Sequence, residues 1–266
     1  MRFVTFNAGL LDPLIPHAAE RCAALAARLP SLEADFVALQ EVWEEADARS
    51  LAEAMANGYT AVAADPLPGV PGDWAAGGRS GLMVFSRHDV PAQVVPLESW
   101  FVRRAAIRLD VETSQGTMLI LATHLAADIP PIPHPEPGGW EAEHRRQVEH
   151  LIGVAERHDG PAMLLGDLNC GPALPGIAPE FEAGYRRLLE VFGRSPYLEQ
   201  GDPGCTFCAD NPLQPFPQST LLDHVLVRGV DGPASARLVL DGRIVVGGIE
   251  TALSDHYGLL VDLPGL

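Results

Sequence analysis

Hydrophobic and polar positions along the chain follow two periods that take turns. Apolar side chains recur at helical spacing over residues 18–29, 45–56, 141–157 and 180–192, which predicts four helices. The third is the clearest. Val148, Leu151, Ile152 and Ala155 share one face, while Arg145, Arg146, Glu149 and Arg157 fall elsewhere. Between these segments lie short apolar runs suited to strands: FVTF, FVAL, GLMVF, AAIRLDV, TMLILAT, AMLL, LLDHVLV and HYGLLVDL. Residues 129–139 and 211–219 are rich in proline and read as ordered loops. No repeat, low-complexity tract or linker interrupts the interleaving, so the pattern predicts a single α/β domain over residues 1–266.

Composition narrows the class. Hydrophobic residues make up 47 % of the 266, enough for a large core. Asp and Glu number 35 against 18 basic residues, for a formal charge of −17. That balance opposes binding to a polyanion, because nucleic-acid affinity rests on cations that displace counterions from phosphates. It is equally unhelpful at an anionic membrane. Every basic residue is arginine, which excludes a lysine-bearing phosphate loop and lysine Schiff-base chemistry. Of four cysteines, Cys205 and Cys208 form a CxxC without a second ligand pair, so all four read as inert thiols. With no apolar signal core and no run near the roughly 20 residues that span a bilayer, a cytoplasmic protein is expected.

The apolar runs share an unusual feature: they end in polar residues. FVTFN ends at Asn7, FVALQE at Glu41, TMLILATH at His124, and AMLLGDLN at Asp167 and Asn169. Asp223 sits within LLDHVLV, and Asp255 with His256 precede the last strand. Each has a local explanation, since Asp-x-Asn followed by Gly and Pro is good turn chemistry. Together they are more informative, because polar groups at the ends of adjacent core strands converge in α/β proteins. Carboxylates and amides without thiolates suit a hard cation such as Mg²⁺, or Mn²⁺. Two histidines add proton transfer near neutral pH. Such an inventory suits metal-assisted hydrolysis of a phosphoester.

The ordered set Asn7, QE at 40–41, SGLMVFSR at 80–87, TH at 123–124, GDLN at 166–169, Asp223 and SDH at 254–256 resembles the endonuclease/exonuclease/phosphatase superfamily. The resemblance runs from residue 3 to about residue 263. It implies a four-layer sandwich, two face-to-face mixed β-sheets flanked by helices, with a Mg²⁺ site at one end. Within the superfamily, LQEVWEEAD, GLMVFSRHDV, THLAAD, GDLNCGP and TFCADNPLQPF look most like neutral sphingomyelinases. The resemblance implies Glu41 as the central metal ligand, with Asn7 and Asp255 close by. It implies His256 as general base, Asp223 as its orienting carboxylate, and Asp167 and Asn169 as holders of the water and a phosphoryl oxygen. His124 would bind a non-bridging oxygen or protonate the leaving group, and Asp167 is the rival base.

The implied activity is a Mg²⁺-dependent phosphodiesterase acting on a lipid headgroup or other small phosphodiester. The rival is a nuclease of the same fold, against which the charge, the missing lysine and the Ser80-Gly81 neighbourhood all weigh. A phosphomonoesterase would call for a basic cluster beside Asp223, and an inactive binding module for losses among the site residues; neither is seen. The segment lacks an evident membrane-inserting hairpin. His144, His150 and His158 read as solvated, His88 as part of a turn, and Trp74 and Trp140 as loop residues. Arg103 and Arg104 read as strand-edge ion-pair partners, with phosphate contact by Arg104 the alternative.

Overall fold

The computed structural model describes residues 1–64, 79–129 and 131–266, so Trp74 lies outside it. The first half contributes β1 (Arg2–Leu10), α1 (Ala18–Arg28), β2 (Phe36–Val42), α2 (Glu45–Met55), β3 (Thr60–Ala63), β4 (Met83–Ser86), β5 (Ala92–Leu97), β6 (Arg104–Thr113) and β7 (Gly116–His124). The second half adds α3 (Gly139–Glu156), β8 (Ala162–Asp167), α4 (Glu182–Phe192), β9 (Asp223–Arg228), β10 (Ser235–Val239), β11 (Ile244–Val246), β12 (Ile249–Thr251) and β13 (Gly258–Asp262). One sheet runs β10-β13-β1-β2-β4-β3 and the other β5-β6-β7-β8-β9, with β11 and β12 forming a separate hairpin.

Period-two alternation sorts the strand side chains into layers. Phe3, Phe36, Val84, Ile107, Ile120, Met163, Val225 and Leu259, drawn from both sheets, form one apolar layer between them. Val4, Phe6, Val37, Leu39 and Phe85 point the other way and meet Leu25 of α1 with Leu51 and Met55 of α2. On the far side, Leu119, Leu121, Leu164 and Leu226 pack against Val148, Leu151 and Ile152 of α3 and Leu188 and Phe192 of α4. Helices, sheet, sheet and helices give the expected four-layer α/β sandwich. Because the central strands are covered on both faces, they are apolar almost throughout; β1 is buried from Phe3 to Leu10.

The five short strands without an apolar run in the sequence, β3, β5, β10, β11 and β12, lie at sheet edges or in the hairpin. Their exposed positions leave no continuous hydrophobic signal. Pro96 is tolerated within β5 because that strand is the edge of its sheet. Helix α3 begins at Gly139, which takes Trp140 out of the expected loop and buries it in the first turn. The thiol expectation also needs correction at one place: Cys205 and Cys208 are joined in a disulfide. Cys22 and Cys170 remain free and buried, and burial pushes both thiols up, Cys22 to about 12, which makes them poor nucleophiles.

Candidate active site

Strand register aligns the polar residues. In β7, β8 and β9, His124 lies opposite Asp167 and Asp167 opposite Asp223, so three side chains form a row across adjacent strands. All three share the parity of the inter-sheet residues Ile120, Met163 and Val225, and therefore face the other sheet. Asn7 has the same parity as Phe3 on β1. Its Nδ2 donates to Asp167 Oδ2 at 2.8 Å and Glu41 Oε1 at 3.2 Å, which ties the two sheets together.

Alternation alone would send Glu41 towards the helices with Val37 and Leu39. A left-handed backbone, φ 58°, turns the chain at this residue and brings the carboxylate to Asn7. Such a conformation is uncommon outside glycine, and here it serves the site's geometry. Asn169 is also left-handed, φ 47°. Its backbone N–H donates to Asp167 Oδ1 at 2.9 Å, and its side-chain Nδ2 donates to Leu125 O. Gly166 lies within β8, which continues through Asp167. Its role is clearance: a Cβ there would sit 1.9 Å from Thr123 O on β7.

His256 stands before β13 with Nδ1–H donating to Asp223 Oδ2 at 2.8 Å. Its Nε2 is turned to Asp167, 3.9 Å from Oδ2. His124 Nε2 approaches the same oxygen at 3.4 Å. Burial disfavours a charged His256, but Asp223, Asp167 and Asp255 outweigh it and push the imidazole up to about 10. At His124 burial dominates, reinforced by the Arg104 charge, and its pKa falls. Burial would raise Asp167 too, but the histidines and Asn7 hold it well below the usual carboxylate range. Asp255 is pushed up by burial and by the facing Glu41, despite the opposing pull of His256. Among the described residues, ligand atoms of Asp167, Asp223 and His256 lie within 4.8 Å of one another.

Every residue singled out at the strand ends thus reaches this one end of the sandwich. Other residues, quiet in the sequence, hold it there. Arg21 of α1 is fully buried and donates to five carbonyls: Pro16, Ala8, Leu253, Gly9 and Ile15, at 2.7–3.1 Å. It therefore pins the end of β1 and the loop that follows it to the segment before Asp255. Arg21→Met should cost about 3–5 kcal/mol by stranding those carbonyls, read as a lowered urea midpoint. An unchanged midpoint would show that these hydrogen bonds are not stabilising.

The expectation of solvated histidines fails at His144, which is buried, donates to Leu168 O at 2.9 Å and is pushed down to about 4 by burial. His224 does the same for Cys170 O and Leu221 O. His150 is exposed, His158 half-buried against Thr117 O. Arg104 is buried without an ion pair among the described residues, and its Nη1 lacks a hydrogen-bond partner there. Glu41 and Asp167 nonetheless act on its charge, which places the guanidinium beside the site. An arginine heading three apolar strand positions, Ala105 to Ile107, was the only signal in the sequence. Arg21 had none, because its acceptors are backbone oxygens.

The Endonuclease/Exonuclease/phosphatase family matches this chain over residues 4–256. Human sphingomyelin phosphodiesterase 2 is 25 % identical over 288 residues, covering 99 % of this chain and 64 % of that protein, so the chain spans less than two thirds of the relative's length. Sphingomyelinase C from Streptomyces griseocarneus superposes with a TM-score of 0.69 at 20 % identity, covering 98 % of each chain. The D. rerio TDP2 structure with single-strand DNA product superposes with a TM-score of 0.71 at 15 % identity, again over 98 % of each chain. Sandwich architecture is common to both structures.

Proposed function

Starting from a chain that belongs to the endonuclease/exonuclease/phosphatase family and is a phosphoric ester hydrolase, we propose that it cleaves a choline- or ethanolamine-type phosphodiester by attack of water. The carrying observation is the His256–Asp223 pair, with the free Nε2 of His256 turned into the row of polar strand ends. In this reading the neutral form of His256, whose share grows as pH rises towards about 10, removes the proton from the attacking water. Asp223 fixes the ring orientation and stabilises the imidazolium. Asp167 and Asn169 hold the water and one phosphoryl oxygen in line. His124, with its Nδ1 unpartnered among the described residues, and Arg104 meet the remaining phosphoryl oxygens.

The donor set also suits a divalent cation. Burial and the nearby Glu41 charge both raise Asp255, a repulsion that a cation held by the two carboxylates would relieve, and the set contains no thiolate. Glu41, Asn7 and Asp255 would hold Mg²⁺, or Mn²⁺, which supplies Lewis-acid polarisation of the phosphoryl group and a more acidic water.

The substrate choice rests on charge and surface. Neither proline-rich segment, 129–139 or 211–219, carries Lys or Arg, and the chain as a whole is at −17. A nuclease needs cations there to hold the phosphate backbone. The surroundings offer aromatic surface instead: Trp100 is 47 % and Phe216 55 % exposed, and Phe207, 6.2 Å from the Phe216 ring, packs on His256. Among the described residues no helix is long and apolar enough to cross a membrane. A hydrolysis panel with Mg²⁺ or with EDTA tests the reading, using sphingomyelin, lysophospholipids, bis-p-nitrophenyl phosphate, plasmid DNA and an abasic duplex. Metal-dependent turnover of a choline- or ethanolamine-type diester is expected, with DNA cut poorly. Efficient, salt-sensitive DNA cleavage without phospholipid turnover would put the nuclease first.

A further inference from the structure

The disulfide Cys205–Cys208 encloses only Thr206 and Phe207; Thr206 touches Asp223 and Phe207 touches its partner His256. Thr206 is fully buried, and its Oγ1 accepts the backbone N–H groups of Leu222 and Asp223 at 3.0 and 3.1 Å. Its carbonyl accepts the N–H of Tyr257, the residue after His256, at 2.7 Å. Phe207 exchanges backbone hydrogen bonds with Thr220, at 3.1 and 2.9 Å. Its ring lies 4.8 Å from the His256 imidazole at 46°, forming a wall on one face of that ring. A dipeptide closed by a cross-link therefore bridges the two chain segments that carry Asp223 and His256.

We propose that Phe207, held by the Cys205–Cys208 disulfide, is the positioning residue for the His256 imidazole, so that turnover depends on the oxidation state of this cysteine pair. The inference rests on the roles assigned above to His256 and Asp223. Reduction by a dithiol breaks the Sγ–Sγ bond, adds one electron and one proton to each sulfur, and leaves the reductant as its own disulfide. The segment then regains conformational freedom that the cross-link had removed. With its wall loosened, the imidazole spends less time at the 2.8 Å contact with Asp223. Small misplacements of a reacting group are costly to rate, whereas the polar residues contributed by β1, β2 and β7 keep their places. The effect should therefore appear in kcat and spare KM.

The test uses the full chain at saturating Mg²⁺ with bis-p-nitrophenyl phosphate. Dithiothreitol should lower kcat by at least ~10-fold with KM nearly unchanged, and reoxidation should restore it. The double variant Cys205→Ser, Cys208→Ser should match the reduced enzyme and ignore the reductant. Phe207→Leu should lower kcat, and Phe207→Tyr, which keeps the ring, should recover most of it. Equal kcat in the oxidised and reduced enzyme, or no rescue by Phe207→Tyr, overturns the proposal. A second readout does not need activity. The ring-current shift of the His256 Hε1 proton, assigned by its loss in His256→Gln, should change on reduction, and an unmoved resonance also overturns it. If neither redox form hydrolyses any phosphodiester while the resonance moves, the hydrolase assignment fails and the positioning contact stands.

Discussion

Replacing His256 with alanine should lower turnover by at least ~10²-fold, the usual lower size of general-base catalysis, with the fold retained. The expectation follows from which nitrogen is occupied. Nδ1 is committed to Asp223 at 2.8 Å, which leaves Nε2 as the atom that faces Asp167 and any water held there. Asp223 is itself fully buried, with Oδ1 unpartnered, so its negative charge has no other strong claimant among the described residues. Asp223→Asn should act in the same direction, because an amide neither stabilises the imidazolium nor enforces the required tautomer. Steady-state kinetics on bis-p-nitrophenyl phosphate, with circular dichroism to verify folding, makes the comparison. If His256→Ala turns over near the wild-type rate while Asp167→Asn is inactive, the base is Asp167.

Glu41→Gln should be as damaging to activity and nearly harmless to stability. A cation's polarisation of a phosphoryl group is worth several kcal/mol, so losing its central carboxylate should cost at least ~10³-fold in kcat/KM. The replacement is isosteric, and Glu41 is only partly buried, with 21 % of its side chain exposed. Its charge pushes Asp255 up but also offsets the buried Arg104 guanidinium, so neutralising it relieves one interaction and weakens another. The thermal midpoint without divalent ion should therefore stay near the wild-type value, while calorimetry should show weakened Mg²⁺ binding. Wild-type rates in EDTA, or an unimpaired Glu41→Gln enzyme, would remove the metal from the mechanism. A retained midpoint separates this loss from unfolding.

Much of the molecule was legible in the order of its residues. Helix period and apolar runs marked the four helices and the central strands, because elements buried on one or both faces must carry their hydrophobic residues at fixed spacing. The strand-end positions Asn7, His124, Asp167 and Asp223 were readable for the same reason, since parity with a buried run determines which way a side chain points. Edge strands such as β3 and β10 were not, as their half-exposed positions impose no pattern. Tertiary structure decided the rest of the site. The left-handed turn that aims Glu41, the five carbonyls gathered by Arg21, and the burial of His144 and Arg104 depend on what packs across from them. The Thr206-Phe207 bridge is of the same kind, joining segments more than 30 residues apart through backbone groups that every residue possesses. Local sequence encodes which face is apolar; a hydrogen bond to a distant carbonyl has no residue-specific partner, so only the folded chain reveals it.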